Sequence, residues 1–287
     1  MHFSFRHFID ILLLFIYSTT IALAQDSHDE ARNPEFVAKG VSIFESDTSV
    51  SLEQPLRIVE NKAFQVGEYL EFSIRYGPIV AGSSSMAVTE LVNINGHPVL
   101  HIQTKAWSNT FFSKFFKVED QADSYIDQRG IFSWKFIKKI SEGSYKKESF
   151  AIYDQYNHIA YTEKDTLEIQ PFVQDILSAL YFVRTQQFEP GDTLKVENQS
   201  DNKVYPLNVI IHKRETVKVK AGKFKCIVVE PVLRAEGLFK AKGRIIVHMT
   251  DDEKKVPVLM TSKIYIKAFS LGGIVAELEK IEGVPGF

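Results

Sequence analysis

The sequence predicts an all-β protein, a curved antiparallel sheet or barrel-like roll with one docked α-helix. Three observations carry this. Apolar and polar residues alternate in short runs through most of the chain. Turn-forming residues separate those runs at close, regular spacing, which favours a meander over βαβ units. One central segment alone has apolar residues at helical spacing.

Composition agrees. The chain has 287 residues, and its aromatic share of 12% is dominated by 22 Phe, a residue that suits strands and broad cores. A net charge of −2 lacks the basic excess that a nucleic-acid surface needs.

The N-terminal 24 residues read as a secretory signal. His2, Arg6 and His7 make a weakly basic opening, and Ile11 to Tyr17 is an unbroken apolar run. Ala22-Leu23-Ala24 then places cleavage after Ala24, with Asp10 as the one discordant residue. No later run reaches the ~18 apolar residues of a membrane-crossing helix. The expected destination is the periplasm. The single cysteine, Cys226, allows no intramolecular disulfide and provides no lipid attachment at the mature N-terminus. It lies in the strand-like run Phe224–Val229 and reads as a small core residue. Residues 25–60 read as a flexible polar leader, and 61–287 as one β-rich domain.

The domain begins with Glu68 to Tyr76, where Leu70, Phe72, Ile74 and Tyr76 share a face. Met86, Val88 and Val92 lead to Asn95-Gly96, a strong hairpin signal because both positions need φ > 0. Leu100, Ile102, Thr104 and Ala106 mark the return strand. Turns follow at Gln128-Arg129-Gly130, Glu142-Gly143 and Asp154 to Asn157. The helix is expected over 171–185. Its stripe is Val173, Ile176, Leu177, Leu180 and Val183, with Pro171 in the first turn and Asp175 and Arg184 matching the helix dipole. Further strands are expected near 193–198, 204–213, 215–220, 223–232, 241–249, 256–267 and 272–281.

A weak repeat runs through the domain. Phe64-x-x-Gly67-Glu68-x-Leu70-x-Phe72 returns 124 residues later as Phe188-x-x-Gly191-Asp192-x-Leu194-x-Val196. Gly96 and Gly222, Phe116-Lys117 and Phe239-Lys240, and Asp127 and Asp251 recur at nearly the same offset. Two related halves, about 64–165 and 188–283, would explain this, as would the shared grammar of strands and turns. Related halves would pair their edges and close the sheet.

Chemical motifs are sparse. His97 and His101 share a strand face without a visible third ligand, so no metal is expected. Asp120, Asp123 and Asp127 form an acidic group that could do acid-base work in a cleft, or could serve turns and edges. Gly82-Ser83-Ser84-Ser85 is not a nucleophile elbow. No cofactor motif is present. Trp107, Phe111, Phe112, Phe115 and Phe116 crowd one short segment. They read either as the lip of a hydrophobic cavity or membrane-touching loop, or as a packed patch under the helix.

These features together resemble the exported bacterial proteins of domain-of-unknown-function family 3108. The likeness rests on Gly67-Glu68-x-Leu70-x-Phe72, Gly77 through Gly82 and Asp120-x-x-Asp123-Ser124-x-Ile126-Asp127. It continues in Gln174-Asp175-Ile176-Leu177-Ser178-Ala179-Leu180-Tyr181-x-x-Arg184, Ala221-Gly222-x-Phe224-x-Cys226, Thr250-Asp251-Asp252 and Pro257-Val258. It spans about residues 60 to 280. The resemblance implies an all-β fold in the envelope of bacteria with two membranes, and it brings no catalytic residues. The expected function is non-catalytic binding of a hydrophobic or glycan-like envelope component, or envelope maintenance. The alternatives are a hydrolase of envelope polymers using the carboxylates, and a module that adds a strand to a partner.

Overall fold

A computed structural model describes residues 56–200, 202–232, 244–266 and 269–287, the backbone alone within 263–272. The signal segment and most of the leader lie outside the described residues. Eight strands come first: β1 (Tyr69–Tyr76), β2 (Ile79–Ile94), β3 (His97–Ser108), β4 (Glu119–Asp127), β5 (Ser133–Glu142), β6 (Tyr145–Asp154), β7 (Ile159–Thr162) and β8 (Thr166–Glu168). The helix α1 (Ile176–Thr185) follows. Then come β9 (Thr193–Ser200), β10 (Lys203–Val219), β11 (Gly222–Val232), β12 (Arg244–Thr250), β13 (Pro257–Ile266) and β14 (Phe269–Glu282).

The fourteen strands of the described residues form one antiparallel sheet in the order β8-β7-β6-β5-β4-β3-β2-β1-β14-β13-β12-β11-β10-β9. The chain's two halves therefore join through β1 and β14, where Ile74 faces Ala276. Among the described residues the sheet does not close through strands, because β8 and β9 remain as edges. The chain between those edges turns inward to become the helix, and it occupies the place where a closing ladder would run. Residues just before α1 bridge the gap instead. Gln174 N donates to Glu197 O at 2.9 Å, Gln199 N donates to Gln174 O at 2.9 Å, and Ser133 N donates to Val173 O at 3.3 Å.

The two halves keep step. Strands β1 to β6 begin at 69, 79, 97, 119, 133 and 145, and β9 to β14 begin at 193, 203, 222, 244, 257 and 269. Each later start falls 124 or 125 residues after its counterpart. Local detail repeats too. Gly67 and Gly191 have φ of 94° and 103°, where glycine escapes a Cβ penalty. Gly67 N donates to Val88 O and Gly191 N to Ile211 O, at 2.9 and 2.8 Å.

The helix starts later than its sequence pattern. Asp175 is extended, and its carboxylate caps Leu177 N and Ser178 N, so α1 begins at Ile176. Phe172 has φ of +60°, which keeps the Pro171 turn out of the helix. Val173 accordingly leaves the helical stripe and packs with Tyr153, Ala160 and Ile169. The expected strands at 204–213 and 215–220 are one strand, β10, with a register shift between Ile211 and Arg214. Asn95 and Gly96 both have positive φ, as a tight hairpin requires.

The main core spans both halves, from Leu70, Phe72 and Ile102 to Val247, Met249 and Leu278, with Tyr181 and Val183 of α1 between them. Cys226 belongs to it at 1% exposure, and burial raises its thiol pKa to about 11. Residues 56–60 lie against the sheet. Arg57 donates to Gly130 O and Ile131 O at 2.9 and 2.8 Å, and its guanidinium sits 4.5 Å from the Phe182 ring centre.

Candidate functional site

Strand alternation sends every second side chain to the concave face. From β1 to β3 that face carries Ile74, Met86, Thr104 and Ala106. From β10 to β14 it carries Leu207, Val229, Val247, Met260 and Ala276. Helix α1 lies across them with Ile176, Leu177, Leu180 and Val183. A cavity of about 100 Å³ remains between helix and sheet. Of its nineteen lining residues only Ser84 and Thr104 are polar. Met86, Met249 and Met260 are all on the wall, so every methionine except Met1 is spent there. Methionine is unbranched and polarisable, and it lets a binding wall reshape around different apolar ligands.

A buried ion pair anchors the helix. Arg184 lies in its last turn with a side-chain exposure of 0%, and Glu68 just before β1 has 1%. Nη1 donates to Glu68 Oε1 at 2.6 Å and Nη2 donates to Oε2 at 2.7 Å, a two-pronged pair. Arg184 also donates to Ala63 O and Lys254 O, both at 3.1 Å. Burial pulls the guanidinium pKa down, but the Glu68 charge and hydrogen bonds more than offset it, leaving the pKa raised. Arg184 thus ties together α1, the approach to β1 and the β12–β13 turn. Helix-dipole matching is the smaller part of its role. The Glu68 motif and the Gln174–Arg184 motif, remote in sequence, meet at this pair.

The predicted aromatic group does not line the cavity. Ala106 faces the cavity, whereas Trp107, the next residue of β3, alternates to the opposite face and is half-buried. A single 3-10 turn, Phe112–Lys114, carries the rest. Phe111 and Phe115 are 63% and 75% exposed. Phe112 and Phe116 are half-buried, and Phe116 lies over Gly143. The group therefore stands at one end of the roll.

The three carboxylates do not converge. Asp120 accepts from Ser141 N at 2.7 Å. Asp127 shapes the β4–β5 turn by accepting from Arg129 N and Gly130 N. Asp123 lies on the other face of β4 from Asp120. It is 2.8 Å from both His101 Nε2 and Gln103 Nε2, and 2.7 Å from Gln121 Nε2. Thr89 Oγ1 is 2.9 Å from His101 Nδ1. That chain of contacts has the elements of a relay, but Tyr125 stacks flat on the imidazole at 4.5 Å, and these residues are not on the wall of the cavity under α1. His97 stacks separately on Trp134 at 4.6 Å. Among the described residues, no three His, Cys, Asp or Glu side chains are grouped to hold a metal ion.

Burial raises the Asp123 pKa, but the hydrogen bonds from His101, Gln103 and Gln121 together outweigh it and hold the pKa below the usual value. A depressed carboxylate stabilises the fold above its unfolded pKa and loses that effect as pH falls through the folded value. Asp123→Asn is therefore expected to flatten the acid limb of stability below the ordinary carboxylate range, of about pH 4. Urea midpoints measured from pH 6 down to 3 check this. An unchanged acid limb would show that the cluster contributes nothing.

The fold and cavity define an open β-roll with a helix as its plug. A family model described as a protein of unknown function, DUF3108, matches residues 71–273, and the chain belongs to that family. No curated protein matches it. Among solved structures it is similar to a beta-barrel-like protein of domain-of-unknown-function family DUF1849 from Brucella abortus. The two are 13% identical with a TM-score of 0.51, over 79% of this chain and 98% of that one. A presumed lipoprotein from Parabacteroides distasonis and a presumed exported protein with a YmcC-like fold from Bacteroides fragilis superpose more loosely, with TM-scores of 0.36 and 0.31. They are 12% and 13% identical, over 79% of this chain and 100% and 99% of theirs. Among the described residues, no helix is long and apolar enough to cross a membrane.

Proposed function

We propose that the protein is an exported, periplasmic binding protein that holds the apolar part of a lipid-like envelope component between α1 and the sheet. The cavity lining carries this reading: it is apolar apart from two hydroxyls, and it concentrates the mature chain's methionines. A glycan would leave many hydroxyls unpaired against such a wall, at about 1–3 kcal/mol for each buried unsatisfied group. An alkyl chain suits it, with each buried methylene contributing about 0.8 kcal/mol. Export is supported by the basic, apolar and small-residue pattern of residues 1–24.

Two measurements test the proposal. Mature protein purified from its native envelope should yield a copurifying lipid on solvent extraction and mass spectrometry. A fluorescent fatty acid should bind the delipidated protein. Ala106→Trp, which fills the cavity from β3, should weaken that binding about tenfold or more, while overpacking costs about 1–3 kcal/mol of stability. Extracts free of lipid together with no probe binding would sink the proposal.

A further inference from the structure

We propose that this protein docks on an anionic lipid bilayer through the loop of residues 109–117, bringing the near end of the cavity wall to the membrane surface. The purpose of docking rests on the proposed function, but the docking itself is argued from different residues.

Tyr76 pairs with Ile79 across the β1–β2 turn and with Ile274 of β14. Ile274 pairs with Ser262, and Ser262 with Ile245 of β12. This line of register runs near one end of the roll, and the β13–β14 hairpin continues past it through Tyr265–Ser270 and Ile266–Phe269. Ile74, Ala106 and Ile245 bring the cavity wall to that end. The 109–117 loop is fastened at the same place. Asn109 N donates to Ala81 O at 3.0 Å, and Asn109 Nδ2 donates to Val80 O at 2.7 Å.

The loop is built to project. Asn109 Oδ1 accepts from Phe112 N, Ser113 Oγ lies 2.7 Å from Ser108 Oγ, and Ser108 Oγ accepts from Val118 N. On this frame Phe111 and Phe115 stand 5.6 Å apart between ring centres, largely in solvent. Ile79 and Val80, 52% and 47% exposed, extend the apolar patch along β2. Such contiguous exposure marks an interaction surface.

The charge pattern selects the occupant. Residues 109–118 contain Lys114 and Lys117 and no acid. Lys114 is exposed within the 3-10 turn. Lys117 is 61% exposed and meets Glu119 at 2.8 Å, a surface pair of the weakly held kind. Aromatic rings for the acyl boundary, flanked by lysines for phosphates, fit an anionic bilayer surface. A ligand leaving that surface would reach the apolar wall without crossing open water.

The test uses the mature chain and sedimentation with vesicles of phosphatidylglycerol and phosphatidylethanolamine, against phosphatidylcholine vesicles. Preferential binding to the anionic vesicles is expected. Phe111→Ser with Phe115→Ser should reduce it about tenfold or more, and Lys114→Glu should reduce it about fivefold or more at low salt. Circular dichroism and urea midpoints should stay unchanged, because these side chains are exposed. The double Phe variant should still bind a fluorescent fatty acid in vesicle-free solution, whereas Ala106→Trp should still bind vesicles. Equal binding to both vesicle types, or full binding by the double Phe variant, overturns the docking proposal. So does a wild-type chain that ignores vesicles but self-associates through the Phe pair. A wild-type chain that binds the anionic vesicles but takes up no fatty acid counts against the cavity reading alone.

Discussion

Replacing Glu68 with alanine is expected to lower the unfolding free energy by about 3–5 kcal/mol. The reason is the stranded partner. Arg184 has no exposed side-chain surface, and its remaining neighbours include the carbonyls of Ala63 and Lys254, the Tyr181 hydroxyl, the rings of Phe64 and Tyr181, and the like charge of Lys255. Two carbonyls cannot balance a buried positive charge. Water must then reach it, or the last turn of α1 must swing out. Glu68→Met combined with Arg184→Met should recover most of the loss, because an apolar pair removes the desolvation cost altogether. Urea titration of the three proteins decides. A loss under about 1 kcal/mol for Glu68→Ala would mean that the pair is not what holds the helix. The same variant should bind a fluorescent fatty acid more weakly, since Val183, next to Arg184, lines the cavity.

The pattern of the strands was legible because side-chain alternation is local. Leu70, Phe72 and Ile74 face inward as their spacing requires, and Asn95-Gly96 makes its turn. The helix was legible in its stripe but not in its start. Proline at 171 suits a first helical turn, yet Asp175 offers a better cap, and tertiary contacts to Asp175 settle the choice. The repeat was faint as residue identities. Strand starts that recur after 124 or 125 residues add support, because register and turn geometry tolerate changes of residue that identity matching does not; we propose two related halves.

The site was less legible. The aromatic density of Trp107 to Phe116 is visible in composition alone, but the cavity wall is spread over eight strands and a helix, two or three side chains from most of them. No short window contains it. The signal that could have found it was the three methionines at 86, 249 and 260, all in strand-like runs. Glu68 and Arg184 carried the second signal: each belongs to a recognisable motif, and neither had an obvious local partner. Pairing across 116 residues is invisible to periodicity.

The other large effect is expected from Asp175→Ala. Its carboxylate lies at 1% exposure and accepts four hydrogen bonds. Oδ1 takes Leu177 N and Ser178 N at 2.8 and 2.9 Å, and Oδ2 takes Ser124 Oγ and Ser133 Oγ, both at 2.6 Å. Loss of the helix cap alone costs about 0.5–2 kcal/mol. Two hydroxyls with no exposed surface are stranded as well, at about 1–3 kcal/mol each, so a total of about 3 kcal/mol or more is expected. Adding Ser124→Ala to Asp175→Ala should then cost little, whereas Ser124→Ala alone should be destabilising. Equal costs in both backgrounds would show that the two residues are not coupled. The pH dependence should oppose that of Asp123. Burial raises the Asp175 pKa, and the four hydrogen bonds only partly reverse this. A carboxyl whose folded pKa is raised favours the folded state most when protonated. Its contribution therefore declines as pH rises from the ordinary aspartate value through the folded one. Asp175→Asn should remove that decline while Asp123→Asn removes the acid loss, and urea midpoints from pH 3 to 7 separate the two. The helix that roofs the cavity is thus held at its start by an anion that burial disfavours, and at its end by a cation fully paired with Glu68. The N-terminal end of α1, where Ile176 and Leu177 meet the cavity, is the end expected to loosen first as pH rises.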